Sequence, residues 1–200
     1  MTSVYHTPVL LEESVRLLDI DPAGTYVDLT FGGGGHSRRI LSALGDRGRL
    51  YAFDQDRDTR DNCPEDSRFH YVESNFRFMR GALRLRGVTR VDGILADLGV
   101  SSHHFDTRER GFSFRFDAPL DMRMNRAGGI TAAELLATAT EERLTMLFKV
   151  YGEFRQAKRL AAAIVKARAN GGVATTGQLA AIAEPMLNPA RAKKELAQIF

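Results

Sequence analysis

The alternation of apolar and polar residues predicts strands and helices in turn over the first half of the chain. Short apolar runs bounded by turn residues predict four strands, at 25–29, 49–53, 69–72 and 91–95. Apolar residues at helical spacing predict helices at 8–18, 37–44 and 76–85. Strands that alternate with helices in this way are typical of an α/β fold with a parallel, doubly wound sheet.

After about residue 125 the pattern becomes helical. Ala127-Gly128-Gly129 is typical of a linker, and a long helix is predicted at 153–169, before Gly171-Gly172. Further helix starts are indicated by capping residues or proline: Thr131 with Glu134, Thr140, Thr175 with Gln178, and Asn188-Pro189. The sequence therefore predicts an α/β domain at 1–125 and an all-helical insertion domain at 126–200.

The predicted sheet is smaller than a doubly wound sheet usually is. Only four strands are visible, whereas this fold usually has two strands beyond the point where the strand order reverses. The pattern is still helical at Gln198-Ile199-Phe200. We therefore expect the C-terminal strands to be missing from this chain and to follow Phe200 in a longer protein.

The composition is that of a folded protein from a reducing compartment. Hydrophobic residues make up 44% of the 200 residues, which excludes general disorder. Cys63 is the only cysteine, so no internal disulfide forms, and this fits the cytoplasm. No apolar run approaches the roughly 20 residues that span a bilayer, and the N-terminus lacks the pattern of a signal peptide.

The basic residues are mostly arginine. The net charge is +3, and 23 of the 28 basic side chains are arginine. Arginine binds phosphate through a planar fork and stacks on bases, so this bias suits a nucleic-acid surface. Codon bias combined with solvated helix faces would explain it equally well.

A run of four glycines, Gly32 to Gly35, follows the first predicted strand and precedes a helix. Glycines there allow the backbone to approach a ligand, and the helix start presents free N–H groups. Asp54 ends the second strand 19 residues after Gly35, where an acid can bind a ribose diol. Dinucleotides and S-adenosylmethionine are both bound by this layout.

The glycine spacing distinguishes these two cofactors in part. The third glycine of a dinucleotide motif would fall on Ser37 or Arg38, so that motif is incomplete. A second pattern, a strand acid with glycines four and six residues later, matches Asp28, Gly32 and Gly34. An acid near the loop suits the cationic end of S-adenosylmethionine. A nicotinamide dehydrogenase remains an alternative.

Asp97 follows the fourth predicted strand, at the sheet edge where α/β folds bind ligands. A methyltransferase that acts on an exocyclic base amine needs an acceptor for the amine N–H. Asp97 is the candidate catalytic residue for that contact, or a cofactor contact beside it. An acid that only caps a loop is an equally good explanation.

Residues 108–117 interleave three phenylalanines with three arginines, in a pattern of period two. Such a segment can stack bases and hold phosphates. A short half-buried hairpin is the more common origin of the same alternation. His103, His104 and Asp106 do not have the spacing of a metal site, and no metal is expected.

Four segments together resemble one family, the bacterial small-subunit (16S) ribosomal RNA cytosine-N4 methyltransferases. They are His6-Thr7-Pro8-Val9-Leu10-Leu11-Glu12-Glu13, Asp28-Leu29-Thr30-Phe31-Gly32-Gly33-Gly34-Gly35-His36-Ser37, Asp97-Leu98-Gly99-Val100-Ser101-Ser102, and Arg110-Gly111-Phe112-Ser113-Phe114 with Leu120-Asp121-Met122-Arg123-Met124. The resemblance implies a class I S-adenosylmethionine-dependent fold, Rossmann-like, with a helical insertion domain that recognises RNA. It also implies methylation of one cytidine in the decoding region of assembled small subunits.

The resemblance further implies a set of site residues. By position, the cofactor would contact Gly34, Gly35, His36, Asp54, Phe76, Asp97 and His104. At His104 the family usually has glutamine. We expect Arg110, Arg115 and Arg123 to hold substrate RNA, without a metal or a covalent intermediate. Because family members continue with further strands and an active-site segment, a non-catalytic cofactor- or RNA-binding fragment is the alternative function.

Overall fold

The computed structural model describes residues 8–200. Two predictions concern residues outside this range. They are the absence of a signal-peptide pattern at the N-terminus and the first two residues of the motif that begins at His6. The chain forms two compact units, one ending at Ser101 and the other comprising Ser102–Phe200. No helix within residues 8–200 is long and apolar enough to cross a bilayer.

The first unit is built on a four-stranded parallel sheet. Its strands are β1 (Thr25–Asp28), β2 (Arg49–Asp54), β3 (Phe69–Glu73) and β4 (Gly93–Leu95). Their order is β3-β2-β1-β4, and Val27 lies opposite both Tyr51 and Ile94. The strand order therefore reverses between β1 and β4. This confirms the predicted parallel α/β sheet.

Helices cover both faces of this sheet. Successive strand residues point to opposite sides, so each face presents its own apolar side chains to a layer of helices. The helices are α1 (Leu11–Leu17), α2 (Gly35–Ala43) and α3 (Met79–Arg84). Tyr26 packs in a cluster with residues of α1 and α2, whereas Val27 packs in a cluster with Leu83 of α3. The helix predicted at 76–85 is shorter, since Asn75 first caps a 3-10 turn over Phe76–Phe78.

The second unit is mainly helical and has its own core. Its helices are α4 (Ser102–Asp106), α5 (Ala132–Thr138), α6 (Glu141–Val150), α7 (Ala157–Ala167), α8 (Thr176–Ala183) and α9 (Ala192–Ala197). Leu144, Leu160 and Ile164 are fully buried in one cluster that draws on α5 to α8. Both predicted capping boxes are present, and the Thr140 side chain caps α6 as predicted.

In the second unit, two helix boundaries differ from the predictions. The helix predicted at 153–169 begins only at Ala157, because Glu153 adopts a left-handed backbone with φ 53°. It passes into a 3-10 turn, Arg168–Asn170, before the glycines. The helix predicted at Asn188-Pro189 begins as a 3-10 turn, and α9 follows at Ala192.

The hairpin interpretation of residues 108–117 is wrong. The segment begins with a 3-10 turn, Arg108–Arg110, and contains no strand within the described chain. The alternation instead reflects a loop in which some side chains turn inward.

The compact units divide after Ser101, earlier than the boundary predicted at residue 125. The physical reason is that the intervening segment packs with the helical core. Leu120 is a buried member of that core, and its amide donates to the carbonyl of Ala174 (2.9 Å). The hydroxyl of Thr176 donates to the carbonyl of Phe116 (2.6 Å).

Candidate functional site

The glycine loop lies between β1 and α2 and requires glycine at two positions for its shape. Gly32 and Gly34 have φ of 51° and 75°, a left-handed backbone that other residues adopt only with strain. A Cβ on Gly34 would also lie 2.9 Å from the ring of Phe31. The chain can therefore turn sharply from the end of β1 into α2.

The third glycine that the structure explains is Gly35, the first residue of α2. A Cβ there would lie 2.4 Å from Cγ of Pro8, so the proline packs directly against the helix start. The first amides of a helix have no partner inside the helix. The start of α2 therefore presents N–H groups to an anionic or polar ligand.

Polar side chains hold the loop in this conformation. The Asn62 amide donates to the carbonyl of Gly32 (3.0 Å). Arg38 donates to the carbonyl of Gly33 (2.7 Å) and to that of Asn62 (2.7 Å). Sequence reasoning missed Asn62 and Arg38, because neither residue type nor spacing singles them out. The loop is thus organised before any ligand binds.

Asp54 lies at the carboxyl end of β2, as predicted, and contacts the glycine loop directly. Its Oδ2 accepts from the amide of Gly32 (2.8 Å), and its Oδ1 accepts from the amide of Asp56 (2.9 Å). These two hydrogen bonds orient the Asp54 carboxylate at the glycine loop. The side chain is only partly buried.

Asp28 faces the interior, not the ligand side of the loop. It is 0% exposed, and its carboxylate accepts from the hydroxyl of Ser37 (2.7 Å) and the amide of Thr30 (3.0 Å). Burial raises the pKa of Asp28, and these two hydrogen bonds act against that shift. Asp28 therefore joins the end of β1 to the first turn of α2, which corrects its interpretation as a contact for a cationic ligand.

His36 follows Gly35 and is also buried, at 5% exposed. Its Nε2 has no hydrogen-bond partner among residues 8–200. Burying such an atom without a partner is costly in a native protein. A polar ligand group at the glycine loop is one way to satisfy it.

Phe76 and Asp97 lie on the loops that follow β3 and β4. The Phe76 ring is 41% exposed, and the preceding Asn75 side chain donates to Gln55 after β2 (2.8 Å). The amide of Asp97 donates to Oγ1 of Thr30 (2.8 Å), so Asp97 is tied to the end of β1, beside the strand reversal. Its side chain is exposed. The first unit thus brings the glycine loop, Asp54, Phe76 and Asp97 to the carboxyl edge of one sheet.

The remaining predicted cofactor residue, His104, belongs to the second unit. It lies on α4, is 7% exposed, and its ring packs on Phe112 with a centroid distance of 4.9 Å. His103 and His104 belong to no group of three metal-ligating side chains within residues 8–200.

The three arginines expected to hold RNA make intramolecular contacts. Arg110 is 1% exposed and donates to the carbonyls of Arg123 and Met124 (both 3.0 Å). Arg123 forms a two-pronged ion pair with Asp121 (both 2.8 Å). Arg115 is half exposed and pairs with Asp106 (2.8 Å). The guanidinium of Arg110 is therefore buried among protein contacts, whereas the side chain of Arg115 is partly exposed.

A parallel sheet with helices on both faces, a glycine loop and an acid after the next strand defines a cofactor-binding α/β protein of the doubly wound class. The sequence profile of the MraW methylase family matches residues 3–200. The chain belongs to that family, as the four motifs indicated.

Curated relatives agree over nearly the whole chain. Proteins named ribosomal RNA small subunit methyltransferase H are 57% identical in Bacteroides fragilis, 56% in Bacteroides thetaiotaomicron and 54% in Porphyromonas gingivalis. The alignments cover 99%, 98% and 99% of this chain. The chain spans 65%, 64% and 65% of the length of these relatives.

Proposed function

We propose that the protein takes part in the S-adenosylmethionine-dependent methylation of the exocyclic N4 amine of a cytidine in the decoding region of small-subunit ribosomal RNA. The observation that carries this proposal is the glycine loop, hydrogen-bonded to Asp54 beside the strand reversal, in a chain of the MraW methylase family. The names of the relatives support the RNA substrate. The protein would bind this substrate in the small ribosomal subunit, in the cytoplasm.

The residues of the first unit fit the proposed cofactor. The amides of Gly35 and His36 at the start of α2 suit the carboxylate of the methionine part, and Asp54 suits the ribose diol. His36 Nε2 is a buried polar atom without a partner among the described residues, and a hydrogen bond with the cofactor would satisfy it. Phe76 offers an exposed ring to the adenine.

The bound cofactor would supply a methyl group on a sulfonium, which an amine can displace directly. Asp97 would accept the N–H of that amine and keep its lone pair directed at the methyl group. Because Thr30 fixes the Asp97 backbone, this carboxylate would be positioned before the substrate arrives.

The first test is calorimetric titration of the chain with S-adenosylmethionine, with NAD in parallel. We expect binding of S-adenosylmethionine alone, weakened by Asp54→Ala and unchanged by the exposed Asp46→Ala. Removing one charged hydrogen-bonding group typically costs about tenfold in affinity or more. Binding of NAD instead would favour the dehydrogenase and overturn the proposal.

A second assay separates methyl transfer from binding. Small subunits from cells that lack the modification are incubated with the chain and labelled S-adenosylmethionine, and nucleosides are analysed by mass spectrometry. N4-methylcytidine that disappears with Asp97→Ala supports catalysis. Cofactor binding without any transfer would instead support the alternative, a non-catalytic binding fragment.

A further inference from the structure

The segment between β3 and β4 carries a dense group of arginines. Residues 74–91 contain five arginines and no aspartate or glutamate. All five side chains are exposed, and none forms an ion pair with a carboxylate among residues 8–200. We call these residues the arginine surface: Arg77, Arg80, Arg84, Arg86 and Arg90.

This grouping of like charges destabilises the folded protein when no partner is bound. On α3, Leu83 and Met79 pack into the core, so the polar face carries Arg80 and Arg84 one turn apart. Like charges at this spacing destabilise a helix. Burial and the charges of Arg49 and Arg86 lower the pKa of His70 on β3, so positive charge also extends toward that strand. None of the five guanidinium groups is paired with a carboxylate of the described chain, and an anionic partner would offset their charge.

The side-chain chemistry favours RNA as that partner. All five cations are arginine, whose planar fork matches a phosphate group. Phe78 is 57% exposed, with the Arg77 guanidinium carbon 5.0 Å from its ring centroid. Exposed rings among arginines stack bases while the arginines hold the strand backbone.

The location of the arginine surface also favours RNA binding. The arginine surface begins next to Phe76, at the carboxyl edge of the sheet, where the cofactor is proposed to bind. It continues along the exposed face of α3. A target base at that edge would leave its flanking phosphates near these arginines. By contrast, two of the three arginines first expected to contact RNA are held within the second unit by hydrogen bonds.

We propose that the arginine surface of the first unit binds the phosphate backbone of the substrate RNA beside the target nucleotide. This inference builds on the proposed function and adds the surface that holds the substrate. Arginine stays charged at all physiological pH values, so this binding is independent of pH from about 6 to 9.

The test compares two triple variants of the chain that remove the same charge. Arg77→Gln/Arg80→Gln/Arg84→Gln neutralises the surface. Arg16→Gln/Arg47→Gln/Arg60→Gln is the matched control, since these exposed arginines of the same unit are close in sequence to carboxylates. Binding is measured by fluorescence anisotropy with a labelled single-stranded RNA of about 20 nucleotides at about 0.1 M salt.

We expect the surface variant to bind RNA at least about tenfold more weakly, and its logarithmic salt dependence to fall by about 2, for three lost phosphate contacts. The control should change affinity less than about threefold. The triple Arg→Lys variant of the surface should recover most of the binding. Equal losses in both neutral variants, or no loss in the surface variant, would overturn the inference.

Parallel measurements distinguish RNA binding from a loss of folding and from attachment to a membrane. Circular dichroism melting should show the surface variant folded and at least as stable as the parent, because like-charge repulsion is relieved. Retained RNA binding with lost binding to phosphatidylglycerol vesicles would assign the surface to a membrane and refute the inference. If neither the parent nor any variant binds S-adenosylmethionine, the proposed function fails, whereas the RNA comparison still decides the role of the surface.

Discussion

The two units of the protein use buried charge in opposite ways. In the first unit, the buried carboxylate of Asp28 accepts hydrogen bonds from the glycine loop and α2. In the second unit, the buried guanidinium of Arg110 donates to the carbonyls of Arg123 and Met124. Where the chain leaves helices and strands, its backbone polar groups still need partners. An acid serves where an amide and a hydroxyl need an acceptor, and an arginine serves where two carbonyls need a donor.

The comparison also shows that residue type does not reveal what an arginine does. Arg110 and Arg123 lie in motifs that resemble an RNA methyltransferase family, yet both make intramolecular contacts. The arginine surface lies in a segment without such a motif, yet its side chains are exposed. We therefore expect the first set to govern stability and the second set to govern binding.

Loss of the buried arginine should have the largest effect. Arg110→Met keeps much of the side-chain volume but removes the donors to two carbonyls in the second unit. We expect the free energy of unfolding, measured with urea, to fall by about 3 kcal/mol. Arg115→Met is the control, since its partly exposed ion pair with Asp106 should contribute less than about 1 kcal/mol. Equal effects would show that the burial of Arg110 is unimportant.

Loss of the buried acid in the first unit should have a smaller effect. Asp28→Ala removes the acceptor for Thr30 and Ser37 but also removes a charge that burial disfavours, and these changes partly offset each other. We expect the free energy of unfolding to fall by about 2 kcal/mol. The exposed Asp46→Ala should be close to neutral. A stabilised Asp28→Ala variant would mean that the charge cost exceeds the hydrogen bonds.

A surface acid should have the smallest effect, and one that depends on pH. The side chain and amide of Arg68 lower the pKa of Asp66 to about 2, from an ordinary 3.8. Because the unfolded chain binds the proton first, the stabilisation is complete above pH 3.8 and is lost as the pH falls toward 2. Asp66→Asn should cost about 0.5 kcal/mol at pH 7.

This difference is measured by urea unfolding of the parent and Asp66→Asn across the acid range. The two stabilities should converge as the pH falls. A gap that stays constant down to pH 2 would assign the effect to lost packing and not to charge.

The parts of the fold that depend on local sequence were predicted well. All four strands form within two residues of their predicted ends, because each is a short apolar run bounded by turns. The capping boxes at Thr131 and Thr175 are present, since a cap involves only neighbouring residues. The hairpin at 108–117 was wrong because the buried residues there are consecutive, at 110–113, and do not alternate with exposed ones as in a strand.

The features of the candidate site that depend on local sequence were also predicted. The hydrogen bond between Gly32 and Asp54 agrees with the glycine-to-acid spacing, which is set by one strand, one helix and one strand. Asn62 was missed because its contacts with Gly32 and Arg38 join segments 30 and 24 residues apart in sequence. The contact of Arg38 with Gly33 is local, but its residue type alone did not mark it. The direction of the Asp28 carboxylate also depends on how α2 packs against β1.

The family followed from the motifs in the residue order. The strands, the glycine loop and the helix caps followed from local residue patterns, and the alternation of strands with helices indicated the parallel sheet. Which charged side chains are buried and which stay exposed became clear only from the folded molecule. Burial results from the packing of distant segments, and a charged side chain is found inside only where irregular backbone supplies its hydrogen-bond partners. Arg110 meets that condition in the second unit, and the arginines of α3 in the first unit do not.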